Sequence, residues 1–254
     1  MRLFSYLILV FLSGCLVQTQ SIAPDDTSAT TIDDWEFVTD GLENDLIRVD
    51  AVLFQATRID PTYYDFRAHY RPNSPLTIQE WREELPDAHV IINANFFDVD
   101  HNVLGLLVSD GNRFGIPYRE RGGTFWVSDD GIAISNNREI NESPTGATQA
   151  IQAFPMLVQD SQPTYNNTND TAISRRTIIA QDSQGHIILM VTAGFGLSLY
   201  DLSQYLPHAG LEIVSALNLD GGGSTMMYIA PSQTTIVSLD PVPAVLAVYP
   251  KNPD

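Results

Sequence analysis

Residues 216–228 read Ala216-Leu217-Asn218-Leu219-Asp220-Gly221-Gly222-Gly223-Ser224-Thr225-Met226-Met227-Tyr228, an apolar run that leads through one carboxylate into three consecutive glycines. Consecutive glycines cost conformational entropy and bury little surface, so they are kept where φ is positive or where another group approaches the backbone closely. The preceding apolar residues predict that Asp220 lies at the end of a strand. The amides of Gly222 to Thr225 then offer a nest for an anion, and a flexible turn is the alternative interpretation.

The composition is that of a folded globular protein, with 254 residues, of which 44% are hydrophobic and 17% are charged. The chain has 13 Lys and Arg residues against 31 Asp and Glu residues, and its formal net charge is -18. Binding to nucleic acid or to an anionic membrane surface relies on clustered positive charge, so the composition argues against both partners. A local anion site inside a cleft is still compatible with this charge, because a few arginines and backbone amides suffice to form one.

The N-terminus carries one basic residue, Arg2, followed by an apolar run that is too short to span a membrane. Its end, Leu12-Ser13-Gly14-Cys15, resembles the bacterial lipoprotein signal, which implies cleavage before Cys15 and a lipid on the thiol. An ordinary signal peptide that contains a cysteine is the alternative. We expect a lipoprotein signal peptide at residues 1–14, a polar tether at 15–34 and one domain at 35–254. The mature protein would then be a membrane-anchored lipoprotein of the cell envelope that faces the periplasm or the exterior.

The rest of the chain alternates short apolar runs with turn signals such as Asp110-Gly111, which favours antiparallel strand pairing. The run Ile47–Phe54 predicts a single strand. A helix is predicted over Thr77–Leu85, because Thr77 and Glu80 are spaced to form a capping box. We therefore expect an α+β fold, a single domain with a mixed, mostly antiparallel β-sheet and a few short helices.

Polar residues interrupt two of the predicted strands. Strand alternation places Asn93 and Asn95 on one face of the apolar run that begins at His89. Buried amides must be hydrogen-bonded, so this pair indicates either a cleft or a hydrogen-bonded structural network.

Arg175 and Arg176 are neighbours at the start of another strand, so we expect one of them to point inward, where it needs a carboxylate, a phosphate or carbonyl groups. Two exposed arginines are the alternative.

Several blocks, taken together and in order, resemble the phosphodiester glycosidase family from about Trp35 to Val248. These blocks are Ile92–Asp98, Gly105–Val108 with Asp110-Gly111, Phe154–Val158, Arg175–Thr177, Gly196–Ser198 and Ala216–Ser224. Each block alone is a weak signal, whereas their shared order is specific. Asn93 aligns with the family's asparagine and Arg176 with its arginine, whereas Asn95 stands where the family usually has glycine.

The resemblance implies a secreted hydrolase that cleaves sugar 1-phosphodiester linkages, for example in cell-wall or exopolysaccharide material. It implies that Asp220 acts as nucleophile or electrostatic stabiliser, that Arg176 binds the phosphate, and that Asp98 is the second carboxylate if one is needed. The residues expected to bind the substrate are Asn93, Asn95, Phe97, Gly221, Gly222, Gly223, Ser224 and Thr225.

Two other functions stay open. The first is a carbohydrate-binding lipoprotein of the same fold without catalytic activity, which the replacement at Asn95 suggests. The second is a metal-assisted phosphodiesterase built on Asp98 and Asp220. We expect no cofactor and no histidine-rich metal site, because the five histidines are scattered along the chain. Carboxylate and carbonyl oxygens could still hold a divalent cation.

Overall fold

The computed structural model describes residues 35–140 and 146–251. The predicted signal peptide at residues 1–14, the tether at 15–34 and the lipid site at Cys15 lie outside the described residues. None of the helices in the described part of the chain is long and apolar enough to cross a membrane.

The described residues form many short strands and two short α-helices. The strands are β1 (Glu36–Thr39), β2 (Leu42–Val49), β3 (Val52–Ile59), β4 (Tyr64–Tyr70), β5 (Val90–Asn93), β6 (Leu107–Ser109), β7 (Asn112–Phe114), β8 (Gly123–Ser128), β9 (Gly131–Asn136), β10 (Gln149–Ala153), β11 (Met156–Gln159), β12 (Gln162–Pro163), β13 (Thr177–Asp182), β14 (Ile187–Thr192), β15 (Ile213–Asn218), β16 (Met227–Ile229), β17 (Thr234–Ile236) and β18 (Ala244–Pro250). The helices are α1 (Ile78–Glu84) and α2 (Leu199–Tyr205), and single 3₁₀ turns span Leu206–His208 and Gly222–Ser224.

The strands form three sheets. An eight-stranded sheet has the order β1-β2-β3-β14-β13-β15-β11-β12, and two five-stranded sheets have the orders β7-β6-β10-β8-β9 and β17-β16-β5-β18-β4. All of the pairings between these strands are antiparallel. The expectation of mostly antiparallel pairing and few helices is confirmed. The expected single mixed sheet is replaced by three sheets without a parallel pair, and the fold is mainly β.

The predicted single strand over Ile47–Phe54 is wrong, because the chain reverses in the middle of it. Asp50 adopts a left-handed φ of 54°, and β2 and β3 form a hairpin in which Val49 pairs with Val52. Asp tolerates this backbone conformation better than most residues, since its short polar side chain bonds locally. One apolar run therefore supplies two adjacent strands.

The predicted helix over Thr77–Leu85 is confirmed as α1. The Thr77 hydroxyl accepts a hydrogen bond from the Glu80 amide at 3.3 Å, and the Glu80 carboxylate accepts one from the Thr77 amide at 2.8 Å. These two bonds satisfy amides that have no partner within the helix. The buried Trp81 side chain anchors the helix, since its Nε1 donates to the carbonyl oxygen of Val242 at 3.1 Å.

A central hydrophobic core joins the three sheets. It combines side chains of the eight-stranded sheet, such as Leu217, with Phe125 of one five-stranded sheet and Ile92 of the other. Helix α2 covers the other face of the eight-stranded sheet through Leu202. Residues that alternate with the core positions, such as Ile91 beside Ile92, pack under α1 instead. The layered packing brings strand ends from different sheets to one edge.

That edge lies where β5, β13 and β15 meet. The Leu219 amide donates to the carbonyl of Thr177 at 2.9 Å, which continues the pairing of β15 with β13. One residue later the Asp220 amide donates to the carbonyl of Ala94 at 3.1 Å, just beyond β5. The chain therefore crosses from one sheet to another at Asp220.

Candidate active site

Asp220 lies at this crossing point, directly after β15, as the sequence predicts. Its backbone carbonyl accepts a hydrogen bond from Nδ2 of Asn93 at 2.6 Å. Its side-chain Oδ1 accepts one from the Gly221 amide at 2.9 Å. The Ser224 hydroxyl lies close enough to this carboxylate to lower its pKa. Because backbone and side chain are both held, the carboxylate has a defined position on a rigid support.

The environment of Asp220 changes its acidity. Burial raises the pKa of this carboxyl from 3.8 to about 6, the nearby Ser224 hydroxyl and the Gly221 amide act in the opposite direction, and the nearby charge of Asp240 raises it further. A carboxyl with a pKa near 6 can exchange a proton close to neutral pH, which is characteristic of catalytic acids and bases. Asp220 is therefore suited to take part in a reaction, in addition to its hydrogen bonds within the turn.

Asp240 is a second carboxylate at the glycine turn, and the sequence analysis missed it. The amides of Leu239 and Asp240 both donate to the carbonyl of Gly223, at 2.7 and 3.1 Å. A Cβ atom at Gly223 would lie 1.9 Å from Oδ2 of Asp240, so glycine is required for this close approach. Asp240 follows no strand or glycine motif, and only the three-dimensional contact reveals it.

The predicted anion nest is largely closed, because three of its four amides already have partners. Gly222, which has a positive φ of 61°, donates to the carbonyl of Arg175 at 2.8 Å. Ser224 donates to Gly221 at 3.2 Å, and Thr225 donates to Gly222 at 3.4 Å. Among the described residues, the Gly223 amide is the one member of the expected nest without a hydrogen bond. The 3₁₀ turn uses the amides of Ser224 and Thr225 internally, and the carbonyl of Arg175 accepts from that of Gly222, so the turn does not form the expected nest.

Thr225 also differs from its predicted role in substrate binding. It is completely buried, and its hydroxyl oxygen has no hydrogen-bond partner in the described structure. Ser224 is buried as well, but its hydroxyl reaches the Asp220 carboxylate. Of these two predicted residues, the structure connects only Ser224 to the charged part of the site.

Arg176 points inward, as expected for one of the two adjacent arginines, and is only 8% exposed. Its Nε donates to the carbonyl of Leu197 and its Nη2 to the carbonyl of Ala172, both at 2.8 Å. Burial lowers the pKa of the guanidinium, while the charge of Asp170 acts in the opposite direction. In the described part of the chain no carboxylate forms an ion pair with Arg176.

The remaining nitrogen, Nη1 of Arg176, makes no hydrogen bond to the described residues. It is also not among the fully buried atoms that lack a partner, so solvent reaches it. A positioned cation with one open donor and no carboxylate partner can accept a phosphate oxygen. Arg175 contacts the glycine turn through its backbone carbonyl, which accepts the hydrogen bond from the Gly222 amide. Its Nη2 donates to the carbonyl of Val237 at 3.1 Å.

Asn93 is 1% exposed and uses both ends of its amide within the protein. Its Oδ1 accepts from the Thr177 hydroxyl at 2.8 Å and from the Met226 amide at 3.1 Å, while its Nδ2 donates to Asp220. The side chain thus connects three segments beneath the turn. This arrangement favours the structural network over the cleft, and it makes Asn93 a positioning residue for Asp220.

Asn95 is 2% exposed and points to a different part of the protein. Its Nδ2 donates to the carbonyls of Leu106 and Gln152 at 3.1 and 3.0 Å. The expected common face of Asn93 and Asn95 is absent, because β5 ends at Asn93 and strand alternation does not continue beyond it. The side chain at this unusual position is therefore absorbed into the interior.

Asp98 and Phe97 lie in the loop that follows. The Asp98 carboxylate accepts hydrogen bonds from the amides of Asp100 and Asn102, both at 2.9 Å, and these bonds stay within the loop. The backbone bond from Asn102 is the main cause of a lowered pKa at Asp98. Phe97 stacks on His101, with ring centroids 5.8 Å apart. The structure gives neither residue a direct contact with the Asp220 carboxylate.

A metal site is not evident around these groups. Within residues 35–140 and 146–251, no three His, Cys, Asp or Glu side chains come together in a way that could hold a metal ion. The two carboxylates at the glycine turn, Asp220 and Asp240, form a pair without a third acidic partner of this kind.

Comparison with known proteins gives one consistent result. The sequence model of the phosphodiester glycosidase family matches residues 86–249. The human enzyme N-acetylglucosamine-1-phosphodiester alpha-N-acetylglucosaminidase is 28% identical in an alignment of length 167 that covers 56% of this chain and 32% of the human protein. The bovine enzyme of the same name is 24% identical in an alignment of length 161 that covers 54% of this chain and 30% of the bovine protein. The chain thus spans about a third of the length of these mammalian relatives.

A solved structure supports the fold independently. The catalytic domain of zebrafish N-acetylglucosamine-1-phosphodiester alpha-N-acetylglucosaminidase superimposes with a TM-score of 0.65 and 19% identity, covering 84% of this chain and 85% of that chain. At this identity the likeness establishes the architecture, and the chemistry must be argued from the residues.

Proposed function

The chain belongs to the phosphodiester glycosidase family, and from this premise we propose that it hydrolyses sugar 1-phosphodiesters by breaking the bond between the anomeric carbon and the phosphate oxygen. The observation that carries the proposal is Asp220, a held carboxylate with a pKa of about 6 beside a second carboxylate, Asp240. Two carboxylates are the groups that most glycosidases use to break a glycosidic bond.

In this reaction the ionised Asp220 faces the anomeric carbon and acts as nucleophile or as stabiliser of the developing positive charge. The carbon–oxygen bond breaks and its electron pair leaves with the phosphate. Water supplies the hydroxyl group of the released sugar and gives up a proton. Because a phosphate monoester is a good leaving group, the reaction needs less help from a general acid than ordinary glycoside hydrolysis does.

We assign the binding of the substrate's phosphate group to Arg176. Its Nε and Nη2 are held by backbone carbonyls, so the guanidinium is oriented before the substrate arrives. Its accessible Nη1 and the unbonded Gly223 amide are the donors available for phosphate oxygens. Preorganised donors of this kind stabilise charge without reorganising during the reaction.

The test determines which bond of the substrate breaks. The full chain is incubated with the methyl phosphodiester of α-N-acetylglucosamine 1-phosphate in ¹⁸O-labelled water. We expect ¹⁸O in the released sugar and methyl phosphate as the other product. Label in the phosphate, with N-acetylglucosamine 1-phosphate released, would instead identify a phosphodiesterase and overturn the proposal. Asp220→Asn is the matched control, since it keeps the shape and removes the charge.

The binding-only alternative predicts sugar binding without turnover. Its sequence basis was the side chain at Asn95, which replaces the family's usual glycine. In the structure this side chain is buried and bonded to backbone carbonyls rather than exposed in a cleft. This placement supports the hydrolase, and saturable binding without any product would support the alternative.

We also propose that the protein is secreted and held in the cell envelope through a lipid on Cys15. The lipoprotein-like sequence Leu12-Ser13-Gly14-Cys15 supports this location. Cells that express the chain should incorporate labelled palmitate into it, and Cys15→Ser should abolish the label while leaving the catalytic domain intact. Persistent labelling of the variant would contradict the anchor.

A further inference from the structure

A cavity of about 680 Å³ lies beside the loop that carries Asp98. None of the residues that line it belongs to the glycine turn or to the arginine segment. Its lining includes three aromatic side chains, Tyr70, Phe114 and Tyr118, with Asp98 and Asn102 as polar groups. The proposed hydrolysis relies on Asp220 and Asp240 and gives this cavity no role.

The aromatic side chains are held in place by their neighbours. Tyr70 and Phe114 pack edge to face, with ring centroids 5.2 Å apart and an interplanar angle of 63°. The Tyr70 hydroxyl donates to the carbonyl of His101 at 3.3 Å. The guanidinium carbon of Arg121 lies 4.5 Å from the ring centroid of Tyr118. The rings therefore form fixed walls.

Two buried amide side chains hold the backbone behind this wall. Oε1 of Gln152 accepts hydrogen bonds from the amides of Leu106 and Tyr118, at 3.1 and 2.6 Å. Nδ2 of Asn95 donates to the carbonyl of Leu106 at 3.1 Å. These bonds hold the backbone of Leu106 and Tyr118 in position, while Oδ1 of Asn95 has no hydrogen-bond partner among the described residues.

The charge in the cavity selects the chemical class of its ligand. The hydrogen bonds from Asn102 and Asp100 lower the pKa of Asp98, so its carboxylate is ionised at neutral pH. No positively charged side chain lines the cavity, which disfavours phosphate and other anions. Oδ1 of Asp98 accepts three bonds from the loop, whereas Oδ2 accepts only one, from the Asn102 side chain. Oδ2 can therefore accept a hydroxyl group.

Aromatic faces beside a hydrogen-bond acceptor match a neutral sugar ring. The apolar C–H face of a pyranose packs on an aromatic ring, and its hydroxyl groups bond to carboxylate and amide groups. We propose that this cavity is a carbohydrate-binding subsite that takes a neutral pyranose ring. The proposal concerns binding alone and does not depend on hydrolysis at Asp220, so each of the two can fail without the other.

The test is sugar binding to the full chain carrying Asp220→Asn, which prevents turnover. The probes are methyl α-mannopyranoside, methyl β-glucopyranoside and N,N′-diacetylchitobiose, measured by saturation-transfer NMR and titration. We expect millimolar binding of at least one probe, and at least a fivefold loss of affinity in Asp98→Asn and in Phe114→Leu. The matched controls, Asp100→Asn in the same loop and Tyr205→Leu at the exposed end of α2, should bind as the parent does.

A second measurement uses the Asp220→Asn protein without any substitution in the cavity. Addition of the sugar should shift the backbone amide resonances of Gly105 and Gly115, which line the cavity, and leave Gly222 and Gly223 unchanged. Absence of saturable binding by all three sugars would overturn the proposal. Binding that shifts only the glycine-turn resonances, or tighter binding of tetramethylammonium than of any sugar in the cavity, would overturn it as well.

Discussion

Nδ2 of Asn93 donates a hydrogen bond of 2.6 Å to the backbone carbonyl of Asp220, and so connects the end of β5 to the glycine turn. Asn93→Ala removes this bond and the two that Oδ1 accepts, leaving buried groups without partners. We expect a loss of about 3 kcal/mol in the free energy of unfolding. Thr177→Val removes one of the three bonds and should cost about 1 kcal/mol. Equal effects in urea denaturation would contradict the connecting role of Asn93.

Activity should depend on the ionisation of Asp220. Because burial raises the pKa of this carboxyl to about 6, a reaction that needs the carboxylate is slow below that pH. We expect kcat/KM to fall about tenfold for each pH unit below 6 and to level off above it. The measurement is a pH–rate profile on the methyl phosphodiester of N-acetylglucosamine 1-phosphate. A profile that instead falls as the pH rises through 6 would show that the protonated form is the active one.

The charge of Asp240 should influence the pH at which kcat/KM begins to fall. Its negative charge contributes to the raised pKa of Asp220, so Asp240→Asn should move the acidic limb to lower pH. Asparagine preserves the size of the side chain beside Gly223, which separates the effect of charge from that of packing. Asp130→Asn, on the exposed turn between β8 and β9, is the matched control and should leave the midpoint in place. An unshifted midpoint in Asp240→Asn would mean that the two carboxylates are not coupled.

Asp220 should also lower the stability of the folded protein above pH 6. Its folded-state pKa of about 6 exceeds the ordinary value of 3.8, so the native state favours the protonated form. The contribution to stability is therefore fully present below about pH 4 and is lost as the pH rises to about 6. The loss amounts to about 3 kcal/mol at most. Asp220→Asn should be inactive and more stable than the parent at pH 8, with a difference that vanishes near pH 4 in thermal or urea unfolding.

Arg176 should not be replaceable by lysine. A lysine has one nitrogen and cannot reproduce the bonds from Nε to Leu197 and from Nη2 to Ala172 while also reaching a phosphate. We expect Arg176→Lys to lower kcat/KM about a hundredfold or more, an effect of about 3 kcal/mol on the transition state. Arg175→Lys is the neighbouring comparison and should have a smaller effect, since the Gly222 amide bonds to its backbone carbonyl. Similar losses in both variants would remove the special role of Arg176.

The parts of the structure that local sequence determines were predictable. The capping box of α1 is formed by residues three positions apart, and Asp220 follows an apolar strand directly, so both could be located from spacing alone. Strand alternation predicted that one of the two adjacent arginines points inward, but it did not show that this one is Arg176. The reversal at Asp50 was missed, because an apolar run that continues through a turn looks like one strand.

The contacts between distant segments could not be predicted in this way. Asp240 meets Gly223 through a loop without a motif, and the amide of Gly222 is used by Arg175 from another strand. No local pattern shows which carbonyl will approach a glycine turn. The same applies to Asn95, whose partners Leu106 and Gln152 come from other elements.

The bonds of Asn93 also determine when the chemistry can appear during folding. Its partners Thr177, Asp220 and Met226 lie 84, 127 and 133 positions away along the chain. Contacts of such long range form late and slowly, because the entropy of closing large loops must be overcome first. Until the strand from the first half of the domain meets those of the second, the Asp220 carboxylate lacks the burial that raises its pKa. The raised pKa of this carboxylate therefore reports completion of the fold.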